Sequence, residues 1–160
     1  MGFLPIILSL LGFSFLWGMV NYNSIKNKKH EVREAAEDLF KYAQLRNGIL
    51  STLSEIPTDK TDVKQSIQLA CEQRNDAQID EISPKEKISA EQKVSALIRN
   101  IPSAEMNSSY HDTYEQLLTV SQSCLKVAAV YKKKVREYNE LITRYPSRLL
   151  ASAYGFKPIA

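Results

Sequence analysis

Two His, two Cys and a few adjacent acids are the side chains in this 160-residue chain whose types could carry chemistry. His30 lies in the basic stretch from Lys26 to Arg33 with no second ligand at helical spacing, so it reads as a solvated surface histidine. His111 precedes Asp112, a pairing used in acid–base dyads, but adjacent helix residues point about 100° apart. Tyr110 and Tyr114 take the core positions there, which leaves His111 on the rim. Cys124 falls on a heptad core position and Cys71 sits beside Ala70; both read as small buried hydrophobes rather than nucleophiles. Two Cys with two His lack the spacing of a zinc site. Ile49 to Tyr154 contains no Gly, so nothing there cradles a phosphate. Asp80-Glu81 reads as solvated surface. The residues thus assign no catalytic, cofactor or metal site and no small-molecule substrate, and the expectation is a protein that is not an enzyme.

The elements that position these residues begin with Phe3 to Val20, an uncharged run of 18 residues. At 1.5 Å per residue it spans ~27 Å, close to the hydrocarbon thickness of a bilayer. Pro5 falls in the first turn, where a missing N–H costs nothing. Trp17 and Tyr22 mark the far end, where amphipathic rings favour the headgroup layer. A cleaved signal peptide wants a basic n-region and a small-x-small site, and Met1-Gly2-Phe3 and Trp17 to Tyr22 offer neither. The reading is therefore an uncleaved anchor over residues 1–22. Lys26, Lys28, Lys29 and Arg33 follow the run and no Lys or Arg precedes it, so the positive-inside rule places the N-terminus outside and the rest in the cytoplasm.

Beyond the anchor, Pro57, Pro84, Pro102 and Pro146 divide the chain into helix-length pieces. Helix 1 is expected to run from the anchor without a break to about Ile56, with Ile25, Val32, Leu39 and Leu53 seven-spaced and Tyr22, Ala36, Ala43 and Leu50 as a second series. Helix 2 would start near Thr58 or Thr61 and carry Val63, Ile67, Ala70 and Ala77 to about Ile82. Helix 3 carries Ile88, Val94, Leu97, Ile98 and Ile101. Helix 4 would be capped by Ser103, with Tyr110, Leu117, Cys124, Tyr131, Tyr138 and Tyr145 at seven-residue steps and Tyr114, Ser121, Ala128, Val135 and Ile142 beside them. That is the stripe of a helix packed in a left-handed bundle. Short connections make sequential helices antiparallel neighbours. The expected fold is all-α: a transmembrane helix continuing into an elongated antiparallel up-down bundle of about four helices, with a short C-terminal helix after Pro146 and Gly155 as its left-handed C′ residue. Lys29, Arg46 and Ser121 interrupt the stripes and suggest core positions that face water or a partner.

Tyr22-Asn23 after the anchor, Tyr138-Asn139, Tyr145-Pro146, Leu149-Leu150-Ala151 and Gly155-Phe156-Lys157-Pro158 stand in an order that resembles the LemA family. The chain departs from the family where Ala35-Ala36 replaces its usual Ala-Trp pair, and where the Tyr-Phe that follows Gly-Phe-Lys in the family is missing. The resemblance implies a membrane-anchored helical bundle over residues 23–160 and no reaction. If helix 4 returns toward the membrane, the two Tyr-Asn pairs meet near the base, as buried knobs or as part of an interaction surface.

Charge is segregated along the chain. Lys126 to Ala160 holds eight Lys or Arg against two Glu, whereas Glu55 to Glu91 holds nine acids against five bases. Lys132, Lys133 and Lys134 with Lys26, Lys28 and Lys29 are candidates for a lipid-headgroup patch, since juxtamembrane bases attract anionic lipid by about 1 kcal/mol each. The net charge of +3 and the acidic middle argue against nucleic acid. The expected function is a non-catalytic binding or scaffold module for another membrane protein. The alternative is a homo-oligomerising membrane component that organises anionic lipid.

Overall fold

The computed structural model describes residues 3–56, 65–72, 84–101 and 108–159. Among them the protein is all-α, with no strand. Helix α1 covers Leu4–Glu55, residues 65–72 form α2, and α3, α4 and α5 cover Pro84–Arg99, Ser108–Thr143 and Ser147–Ala153. The expected positions Thr58, Thr61, Val63, Ala77, Ile82 and Ser103 lie outside the described residues.

α1 runs for 52 residues without interruption. Pro5 occupies its first turn, where its absent N–H is no loss, and the helix stops just ahead of Pro57, whose ring disfavours helical backbone in the residue before it. The N-terminal third buries nothing: an 18-residue window of mean hydropathy 1.7 is 0% buried, so α1 holds one stretch long and apolar enough to cross a membrane. Further on, Ile25, Val32, Ala35, Leu39, Leu50 and Leu53 turn inward at heptad-like spacing.

The chain forms two compact units, and α1 and α4 contribute to both. One unit joins residues up to Glu34 with Lys133–Ile159. In it Lys28 pairs with Glu137, and Glu31 with Lys134. Rising numbers on α1 against falling numbers on α4 make the two helices antiparallel. The other unit spans Ala35–Lys132. Its core collects Leu50 and Leu53 of α1, Ile67 and Ala70 of α2, Val94 and Ile98 of α3, and Tyr110, Tyr114 and Leu117 of α4, with Ile101 beyond α3. α3 opens on Pro84, carries Glu86 in its first turn and Arg99 in its last, and so complements its own dipole at both ends. Ile88, Glu91, Val94, Ser95 and Ile98 make its buried stripe.

Most of the Tyr series on α4 is buried as its spacing predicts: Tyr110, Leu117, Cys124, Tyr131 and Tyr138 are all interior. Tyr145 departs from it, at 76% exposed. The cause is Pro146, which excludes its predecessor from helical backbone; α4 ends at Thr143 and the stripe ends with it. The Tyr145–Pro146 peptide is cis.

Candidate functional site

In the unit containing the N-terminus, the segment after α5 gathers the residues that the sequence singles out. Tyr154 caps α5 by donating its N–H to the Leu150 carbonyl, and Phe156 N–H reaches the Ala151 carbonyl. Gly155 between them has φ +72°, the left-handed C′ conformation that a residue without Cβ adopts freely. This reversal sends residues 156–159 back along α4. There Tyr138 donates its hydroxyl to the Lys157 carbonyl at 3.2 Å. Asn139 makes a reciprocal pair with Ile159: its Nδ2 donates to the carbonyl at 2.8 Å and its Oδ1 accepts the N–H at 2.9 Å. From α1, the Tyr22 ring lies 4.9 Å from Tyr154 and 5.9 Å from Phe156, both tilted. Lys29 Nζ stands 5.8 Å from the Phe156 ring centre, within cation–π range.

Tyr22, Tyr138, Asn139, Phe156 and Lys157 are thus brought together, and the two Tyr engage the same C-terminal segment. Asn23 and Tyr145 are exposed and outside this arrangement; Pro146 is half-buried. Two contributors had no distinguishing sequence signal. Asn21 donates Nδ2 to the Trp17 carbonyl and accepts a hydrogen bond from the Ser147 hydroxyl at 3.3 Å, which ties the start of α5 to α1. Tyr154 is the other.

The basic residues divide into paired and solvated ones. Lys28 Nζ donates to Glu31 at 2.9 Å and to Glu137 at 3.1 Å, and Lys134 Nζ donates to Glu31 at 2.7 Å. Lys133 stands 3.9 Å from Glu137. Hydrogen bonds from Lys134 and then Lys28 hold the Glu31 carboxyl below its ordinary range, and the bond from Lys28 does the same to Glu137. The same bonds, to Glu31 first, raise the Lys28 ammonium above its usual value. Charge balanced in this way inside the unit is less available to a headgroup. Lys26 and Lys29 are exposed. Lys132, in the other unit, is exposed as well.

That other unit encloses a polar network. Arg46, fully buried, donates Nη1 to Glu91 at 2.5 Å and Nη2 to Asn47 Oδ1 at 3.3 Å. Cys124 donates its thiol to the same Glu91 carboxylate at 3.3 Å. Arg46 and Ser121 therefore do not open to water, as their place in the stripes suggested. Both are interior, and Arg46 is neutralised by a carboxylate from α3 that no periodicity on α1 reveals. Burial, then the charge of Glu91, push the Cys124 thiol up to about 12. Since the thiolate is the nucleophile, this cysteine is unreactive. Arg46 Nε, Ser95 Oγ and the Tyr110 hydroxyl are buried without a hydrogen-bond partner among the described residues.

His30 is exposed with Glu34 3.6 Å away, and His111 is exposed. Cys71 is half-buried. Among the described residues no cluster of His, Cys, Asp and Glu is arranged to hold a metal ion. The chain matches no family model, no curated protein and no solved structure.

Proposed function

We propose that this protein is a single-span membrane protein whose helical domain is a non-catalytic binding or scaffold module held at the membrane surface. One observation carries the reading. α1 passes, within a single unbroken helix, from a wholly exposed apolar stretch to a packed helix that shares its core with α2, α3 and α4. Large apolar side chains from Phe3 to Val20 cover nothing in the protein. Water would exact roughly 25 cal/mol for each Å² they leave bare, and a bilayer removes that cost.

The resemblance to the LemA family is kept as part of the same proposal: of its motif residues, Tyr22, Tyr138, Asn139, Gly155, Phe156 and Lys157 take part in the C-terminal arrangement, whereas Asn23 and Tyr145 do not. With Lys26, Lys28, Lys29 and Arg33 following the span, the helical domain is cytoplasmic. Lys26, Lys29 and Lys133, exposed in the unit that carries the span, can meet anionic headgroups, and the partner is another protein of the same membrane.

The test uses the full chain carrying Cys71→Ser and Asp112→Cys, Asp112 being exposed on α4. The protein should remain in membranes washed with alkaline carbonate. A membrane-impermeant maleimide should label it only after cell lysis. Release by carbonate would refute the span, and labelling of intact cells would reverse the orientation.

A further inference from the structure

α5 is built inside out for a helix in water. Its small residues Ser147 and Ala151 are buried at 6% and 3%, while Leu149 is 60% exposed. Two residues along a helix correspond to about 200°, so Leu149 points away from the face that Ser147 packs. Tyr145 just before the helix and Tyr154 just after it are 76% and 63% exposed. Three large side chains are therefore turned outward around a helix of seven residues, with exposed Arg144 and Arg148 beside them. A soluble surface gains nothing from this arrangement, since the area left bare is the apolar area.

The place of α5 identifies what covers it. Ser147 hydrogen-bonds Asn21, which itself bonds the Trp17 carbonyl, and the Tyr154 ring packs at a tilt against Tyr22. Asn21 is the residue directly after the apolar run that ends at Val20. α5 thus sits beside the end of the exposed apolar run of α1, the end that Trp17 and Tyr22 mark, with Leu149 turned away from the contact.

We propose that α5 with Tyr145 and Tyr154 is a second membrane-seating element, which enters the interfacial layer of the same bilayer that α1 spans. The inference rests on the reading of α1 as a span. Tyr rings suit this layer because one end is apolar and the other takes hydrogen bonds. Leu149 reaches toward the acyl boundary, and Arg144 and Arg148 stand at the level of the lipid phosphates. The domain is then held by two footings and cannot swivel freely about the anchor helix.

The experiment uses the full chain with Cys71→Ser and one added cysteine, Leu149→Cys or, separately, Tyr145→Cys, Phe13→Cys or Asp112→Cys. Cys124 stays, because its buried thiol does not label. Each variant is labelled with a nitroxide and reconstituted in vesicles of phosphatidylcholine and phosphatidylglycerol. Collision with oxygen, which partitions into lipid, is compared with collision with a water-soluble nickel chelate. The expected result is an oxygen-to-nickel ratio several-fold higher at 149 and 145 than at 112, and higher still at 13. A lipid signal at 13 with 149 and 145 as nickel-accessible as 112 overturns the seating element and leaves the anchor standing. Protection of 149 from both reagents also overturns it, since a second copy or another protein then covers the face. Nickel access at 13 removes the anchor, and the inference falls with it.

Discussion

Arg46 shows how one residue can reverse the meaning of its place in a pattern. A cation on an apolar stripe is costly to bury alone, yet here Glu91 and Asn47 accept from its two terminal nitrogens and Cys124 shares the same carboxylate. Buried pairs of this kind add little over an apolar replacement, but breaking one side leaves an uncompensated charge, at about 3–5 kcal/mol. Glu91→Leu alone should therefore lower stability by that order in thermal melts followed by helical circular dichroism in mild detergent. The pair Arg46→Met with Glu91→Leu should restore most of the loss. If the double variant is no better than the single one, the pairing of these two side chains is not what makes the site sensitive.

Among the elements, the C-terminal segment has the most to reveal, because it holds its place without secondary structure of its own. The left-handed Gly155 reverses the chain, and Asn139 then supplies the donor and acceptor that a neighbouring strand would supply to Ile159. A net hydrogen bond contributes about 1 kcal/mol, so removing both should cost the segment ~2 kcal/mol. Asn139→Ala is expected to speed amide exchange at Ile159 by more than tenfold while the amides in the middle of α4 keep their protection. Asn139→Asp keeps the acceptor and loses the donor, and should fall between the two. Equal exchange in all three proteins would show that the segment is held by its ring contacts to Tyr22 instead.

For the molecule as a whole, the ionic network on α1 and α4 sets a pH window. Glu31 and Glu137 titrate below their ordinary range in the folded protein, so their contribution is complete above the unfolded value of about 4.3 and is lost as pH falls through the lowered ones. Lys28 titrates above its ordinary value, so its contribution is complete below about 10.4 and is lost as pH rises through the raised one. The thermal midpoint should be flat between about pH 5 and pH 9 on this account and drop on either side. These side chains are about a third exposed, so the effect is small and added salt should reduce it. Glu31→Gln should flatten the acid limb, measured as the same melt across pH.

Periodicity along the chain was enough to determine that α1 is one helix from Leu4 to Glu55, that Tyr110 to Tyr138 face inward, and that Gly155 ends the last helix in a left-handed turn. Each of those is a local matter, set by which side chains share a helical face and which backbone a residue tolerates. The departure of Tyr145 was equally local and followed from Pro146, but a count of sevens overrides it. What only the tertiary structure decided is who meets whom across elements. Nothing on α1 announces that Arg46 will find Glu91, that Lys28 and Lys134 will share Glu31, or that Ser147 will reach Asn21. Helical spacing specifies the face a residue occupies, whereas partnership depends on the register at which two helices pack. That register is a sum over many contacts that no single segment of sequence contains.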